Sequence, residues 1–217
     1  MSHPTWRSEF VKGGNIFRNI SKIIYNELGE EVLNIFKPSV NKNWVYRVET
    51  YSGTKVRFSF HKNNEIRVYG ASKLQIIAYK NLINVPKIIV LNNRIKISEW
   101  IDGVELYFVQ NLPEANFALG ELIGKLNLVK HKKQYLTSGD INNTNFIWTK
   151  DKKLYLVDVD KLKLRSYEMA VKMVAHEAYK RINNERRKYF YKGYSKYHDI
   201  DILINFLNEY KKEFVEK

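Results

Sequence analysis

The chain has 217 residues, 44% hydrophobic and 28% charged. That is enough for one unit of two lobes, short for two independent domains, and too apolar for disorder. The absence of cysteine excludes a disulfide framework and thiolate chemistry. The formal net charge of +14 would draw nucleic acid, an anionic membrane surface or a phosphate-bearing glycolipid.

Near the start, Arg7, Lys12, Arg18 and Lys22 interrupt any apolar block, so no signal peptide is expected. No apolar run approaches the ~20 residues of a membrane span. The expectation is a soluble, cytoplasmic protein, with peripheral contact to the inner face of a membrane as an option that the charge allows.

In chain order, apolar residues at Ile16, Phe17, Ile20, Ile23, Ile24 and Leu28 predict a helix over 15–28. Residues 32–36, 44–50 and 55–60 read as strands, and 72–82 as a helix. A hairpin follows from 88–91, the turn Asn92-Asn93, and 95–101. Residues 119–128 (LGELIGKLNL) read as an amphipathic helix. Phe146-Ile147-Trp148, the polar turn 149–153 and the return strand 154–157 form a second hairpin. Helices are predicted at about 166–183 and 201–213, with Leu203, Leu207, Tyr210 and Phe214 on one face of the last.

The most informative stretch is 138–160, SGDINNTNFIWTKDKKLYLVDVD. Asp140 stands five residues before Asn145, and an apolar run then ends at Asp158. Phosphoryl transfer needs such a set: one carboxylate to orient and deprotonate an acceptor hydroxyl, and an amide oxygen and second carboxylate to hold magnesium against nucleotide phosphates. Asp140 is the candidate catalytic base, Asn145 and Asp158 the candidate metal ligands. The bland alternative is a hairpin whose Asp and Asn residues only make turns. The order helix, Asp-Asn loop, hairpin, Asp favours the first reading. Asp160 would serve either a second metal or a hydrogen bond to the loop. His176 has no second His at ligand spacing and reads as a helix residue.

These residues resemble the small eukaryotic-kinase-like phosphotransferases, and within them the lipopolysaccharide core heptose kinases. The resemblance rests on Ser138-Gly139-Asp140, on Asn145-Phe146-Ile147, on Asp158-Val159-Asp160, and on 97–106 (ISEWIDGVEL). It implies an α+β, protein-kinase-like two-lobed fold, with an N-lobe over 1–101 and a C-lobe over 102–217. It also implies ATP as co-substrate with Mg2+, backbone pairing of Glu99 and Ile101 to the adenine edge, and transfer to a hydroxyl of an anionic sugar or glycolipid such as core heptose.

Two features depart from that pattern. Ser59 occupies the position of the usual phosphate-binding strand Lys, with Lys55 and Arg57 on its face and Lys62 on the other. No acid occurs over 72–82 to pair with such a Lys, and Glu65 precedes it; the loop 37–43 (KPSVNKN) has no Gly to wrap phosphates. A pseudokinase scaffold therefore stands as one alternative, and the +14 charge leaves an RNA-associated kinase or ATPase as another. The basic, aromatic stretch 179–198 would either bind an acceptor or anionic headgroups, or form a helix pair with rings packed inward.

Overall fold

The computed structural model describes residues 8–10, 14–38, 45–60 and 66–215. Expectations for Trp44, Lys62, Glu65 and most of the loop 37–43 lie outside these, as do those for the Tyr210 and Phe214 side chains. The chain divides into two units, Met1–Gly70 with Pro86–Trp100, and Ala71–Val85 with Ile101–Lys217. Residues 71–85 thus belong to the second unit although they precede Ile101 in the chain.

The first unit is a six-stranded antiparallel sheet and a helix. Its elements are β1 (Ser8–Phe10), α1 (Gly14–Leu28), β2 (Val32–Pro38), β3 (Val45–Thr50), β4 (Lys55–Phe60), and, after α2 (Ile66–Lys80), β5 (Ile88–Leu91) and β6 (Ile95–Glu99). The sheet order is β1-β2-β3-β4-β6-β5. Alternation along the strands sorts side chains between two faces. Tyr46, Val48, Val56, Phe58, Ile95 and Ile97 share a core with Ile20 and Ile24 of α1. Gly29 ends α1 at φ +71, a left-handed position, and donates its N–H to the Tyr25 carbonyl at 2.9 Å.

The first five residues of α2 belong to the first unit and the rest, from Ala71, to the second. The helix begins six residues before the predicted start and stops at Lys80, because Leu82 takes φ +60. β7 (Val104–Glu105), α3 (Leu106–Val109) and α4 (Pro113–Leu128) follow. Pro113 opens α4 and Glu114 lies in its first turn, a favourable start that carries the helix one and a half turns upstream of its apolar stripe. Next come β8 (Lys130–His131), β9 (Gln134–Ser138), a 3-10 turn at Asn143–Asn145, β10 (Phe146–Trp148), β11 (Leu154–Leu156) and β12 (Leu162–Arg165). They form two three-stranded sheets, β11-β10-β7 and β12-β9-β8.

Ser166 caps α5 (Tyr167–Arg181), its side chain accepting from the Met169 N–H at 3.3 Å. α6 (Asn184–Tyr194) and α7 (Ile200–Val215) complete the chain. Leu203 and Leu207 of α7 are buried. The α4–α6 contact is close because glycines meet backbone: a Cβ on Gly120 would lie 2.0 Å from the Phe190 carbonyl oxygen, and one on Gly193 2.1 Å from that of Phe117. Among the described residues no helix is long and apolar enough to cross a membrane.

Candidate active site

The candidate base sits where the β9–β12 ladder ends. Ser138 pairs with Leu162, and the Gly139 N–H continues the register by donating to the Lys161 carbonyl at 3.0 Å. Asp140 and Asp160 therefore leave the same end of one antiparallel pair. Ser138, 1% exposed, clamps the loop: its hydroxyl donates to the Asp140 carbonyl at 3.1 Å and accepts the Asp140 N–H at 3.4 Å. The half-buried Asp140 carboxylate accepts the Asn142 N–H at 3.1 Å through Oδ1, an Asx turn that leaves Oδ2 for other work.

The loop is held from three further elements. Glu177 of α5 accepts the Ile141 N–H at 3.4 Å while lying 3.7 Å from Arg181 and 3.3 Å from His176. Gln110, just beyond α3, accepts from the Asn143 side-chain amide at 3.0 Å and from Arg186 of α6. Asn142 accepts the Thr144 N–H at 3.3 Å and so caps the 3-10 turn that delivers Asn145. Sequence reading missed Glu177 and Gln110, and included Arg186 only as part of the basic stretch 179–198. Glu177 and Arg181 resemble an ordinary surface pair at helical spacing.

Asn145 and Asp158 are brought together by backbone. The Asn145 carbonyl accepts the Val157 N–H at 2.9 Å and the Asp158 N–H at 3.5 Å. The Asp158 carboxylate accepts the Asp160 N–H at 3.3 Å through Oδ1. The Asn145 side chain is 7% exposed, and its amide nitrogen is buried without a hydrogen-bond partner among the described residues. That nitrogen is a donor and calls for an acceptor, such as a phosphate oxygen; only the amide oxygen could face a cation. Together the Asn145 and Asp158 oxygens suit a hard divalent cation such as Mg2+. Among the described residues no three His, Asp or Glu side chains converge as a closed metal cage. An ion here would draw its remaining oxygens from phosphate and water, the usual habit of magnesium.

On the first unit's sheet, β4 puts Val56 and Phe58 into the core and Lys55, Arg57 and Ser59 on the opposite face. The register sets Lys96 of β6 directly across from Ser59, on that same face, with the Ser59 hydroxyl donating to the Lys96 carbonyl at 3.3 Å. Lys96 is 8% exposed. A buried lysine thus neighbours the serine, supplied by an adjacent strand. Across from Arg57 lies Arg47, which pairs with Glu49 at 2.9 Å and covers the Phe36 ring at 4.2 Å.

Glu99 closes β6, with its N–H donated to the Lys87 carbonyl at 2.9 Å and its carboxylate accepting the Lys87 N–H at 3.1 Å. Ile101 lies beyond the strand, which ends two residues before the predicted limit. In the stretch 179–198 two of the six rings, Phe190 and Tyr194, are fully buried, with ring centroids 6.0 Å apart and stacked; the other four are half-buried, while Lys180, Lys188, Lys192 and Lys196 stay exposed.

No protein-family model matches the sequence, and no curated protein matches it. Solved structures do match. The macrolide 2′-phosphotransferase of Brachybacterium faecium superposes with a TM-score of 0.68 at 8% identity, over 89% of this chain and 87% of that one. The ethanolamine kinase of Plasmodium vivax gives 0.65 at 12% identity, over 93% and 81%. An amicoumacin kinase in complex with AMP-PNP and Ca2+ gives 0.62 at 11% identity, over 89% and 83%. The chain has a protein-kinase-like fold. At these identities the likeness is one of fold, and what the chain does must be argued from its own side chains.

Proposed function

We propose that this protein is an ATP- and magnesium-dependent phosphotransferase acting on a hydroxyl of a small sugar or glycolipid acceptor. The observation that carries the reading is the backbone tie of Asn145 to Val157 and Asp158, which brings the two candidate ligand positions together next to the Asp140 loop. The kinase-like fold supports it, as do the similar structures named for phosphoryl transfer to small molecules.

In the proposed reaction Asp140 accepts the hydrogen bond of the acceptor hydroxyl and aims its oxygen at the γ-phosphorus of ATP. As the new P–O bond forms, the bond from that phosphorus to the bridging oxygen breaks. ADP departs and the hydroxyl proton passes to the Asp140 carboxylate, leaving a phosphate monoester. A magnesium ion held by Asn145 and Asp158 would supply charge neutralisation for the phosphate oxygens. Ser138, Glu177 and Gln110 contribute position, which is most of what this chemistry asks of a protein. In the same reading the backbone of Glu99 and Ile101 pairs with the adenine edge, and Lys96 takes over the phosphate contact that a strand lysine at position 59 would make.

Core heptose of lipopolysaccharide is the acceptor suggested by the resemblance of 97–106 and 138–147 and by the +14 charge, since that glycolipid is already anionic. A second reading, a nucleotide-binding scaffold without turnover, is favoured by Ser59 and by the lack of any acid in α2. Titration of ATP by calorimetry with and without magnesium, followed by a phosphate-transfer assay, separates them. Magnesium-dependent binding that is lost in Asp158→Ala, together with phosphate transfer to a sugar, supports the enzyme. Binding without transfer to any sugar supports the scaffold, and no binding at millimolar ATP overturns both.

A further inference from the structure

α6 carries two consecutive arginines that the structure uses differently. Arg187 is committed to packing: Nε donates to the Ile182 carbonyl, Nη2 donates to the Tyr179 carbonyl at 3.0 Å, and the guanidinium lies 4.7 Å from the Tyr179 ring centroid. Arg186 is not. Among the described residues its guanidinium has a single partner, the Gln110 side-chain oxygen, and its Nε is buried with no hydrogen bond. No carboxylate among the described residues pairs with it.

A guanidinium drawn partly from water without a counter-charge is costly, and burial accordingly pushes its pKa down. Guanidinium offers five N–H donors in a fixed fork, a geometry matched to phosphate and carboxylate. The fork here is left mostly unfilled by protein.

Its location gives that vacancy a use. The Gln110 oxygen that holds Arg186 also holds Asn143, three residues beyond Asp140 and two before Asn145. One glutamine therefore links the guanidinium to the loop carrying the candidate base. α3, which immediately precedes Gln110, exposes Tyr107 at 53% and Phe108 at 52%, their rings edge-to-face with centroids 5.2 Å apart. Two open aromatic faces and an uncompensated fork beside one loop suit a sugar that already bears an anionic group.

We infer that Arg186, set by Gln110, reads a phosphate already present on the acceptor, while Tyr107 and Phe108 offer ring faces to its sugar; the inference rests on the phosphotransferase reading above. The acceptor class is then a sugar phosphate. Its charge is opposite to that of ethanolamine, the cation named for one of the similar structures.

The test is calorimetry on the full chain saturated with magnesium and AMP-PNP, titrated with glucose 1-phosphate, glucose 6-phosphate and uncharged glucose. Wild type is expected to bind at least one sugar phosphate about tenfold or more tightly than glucose, the preference a charge-assisted contact gives. Arg186→Gln should erase that preference, whereas Arg186→Lys should keep part of it. A purely structural arginine would weaken sugar and sugar phosphate alike. Should Arg186→Gln fail to fold, Arg186→Lys decides: a preference reduced several-fold supports the assignment, and an unchanged one overturns it. No preference in wild type, or full preference in Arg186→Gln, also overturns it. Wild type that does not bind AMP-PNP with magnesium overturns the phosphotransferase reading, and this inference with it.

Discussion

The main-chain carbonyl of Asn145 accepts the Asp158 N–H at 3.5 Å, beside a shorter bond from Val157 at 2.9 Å. The approach of the two main chains is therefore fixed by peptide groups that survive side-chain substitution. Asn145→Leu keeps both backbone bonds and removes only the amide. The expected outcome is a fold with near wild-type thermal midpoint and a magnesium-dependent ATP affinity lowered about tenfold or more, as loss of one of two protein ligands implies. Unchanged magnesium dependence in calorimetry would place the metal elsewhere.

Asp140→Asn isolates the proton transfer. The Asn142 N–H now bonded to Asp140 at 3.1 Å can bond an asparagine oxygen equally well, so the loop should keep its shape. Turnover should fall by roughly 10²–10⁴, the usual contribution of a general base, with nucleotide affinity nearly unchanged. Rapid-quench assay of the variant checks this, and wild-type turnover would remove Asp140 from the role.

Lys96 is the cation across the ladder from Ser59. The Ser59 hydroxyl bonds to its backbone carbonyl, so Lys96→Met retains that contact and the aliphatic stem. The expected effect is a rise of about tenfold in the ATP dissociation constant, equivalent to about 1.4 kcal/mol. Ser59→Lys added to that variant should recover part of the loss, since both positions lie on one sheet face. Unchanged affinity in Lys96→Met would remove Lys96 from the phosphates, and a double variant no better than Lys96→Met would show that position 59 does not reach them.

What could be read from sequence was what is local. Phe146–Trp148 and Leu154–Leu156 alternate or run apolar around a five-residue polar turn, so the hairpin and its flanking Asn145 and Asp158 were readable. The residues that hold the loop were not. Glu177 acts on Ile141 from 36 positions away, Gln110 on Asn143 from 33, and Arg186 on Gln110 from 76. Nothing in the neighbourhoods of Glu177 and Gln110 marks them, and the basic stretch around Arg186 does not single it out. The β9–β12 ladder was hidden too, because Gln134–Ser138 buries mostly its last three residues. α6 reads as a basic tract since only Phe190, Gly193 and Tyr194 of its eleven residues are buried, one of them a glycine that lowers the helical signal. That glycine is present for packing.

The α4–α6 contact is consequently intolerant of a methyl group. A Cβ on Gly120 would stand 2.0 Å from backbone oxygen, which cannot rotate away as a side chain would. Gly120→Ala is expected to destabilise by about 3 kcal/mol despite the better helix propensity of alanine. For a domain of this size that lowers the midpoint by roughly 6–12 °C. Gly70→Ala, where a Cβ meets nothing within 4 Å, is the control and should be neutral or slightly stabilising. Equal effects at the two sites would contradict the close helix approach.

His198 makes stability depend on pH. It is 7% exposed, and its Nε2 lies 2.8 Å from the Gly124 carbonyl, which can only accept, so Nε2 carries the proton. Nδ1, unprotonated, then accepts from the Tyr167 hydroxyl at 2.9 Å. Burial lowers its pKa, opposed in part by the Gly124 bond. The folded state therefore binds fewer protons than the unfolded chain between the lowered value and the unfolded value of about 6.5. Stability from this group is complete above about pH 6.5 and is lost as pH falls through that value towards the folded pKa. The slope is at most about 1.4 kcal/mol per pH unit. Urea midpoints from pH 7.5 down to 5 should decline more steeply for wild type than for His198→Gln, whose amide can still donate to Gly124 but does not titrate. A wild type that gains stability relative to His198→Gln over that descent would mean the imidazolium is favoured in the fold.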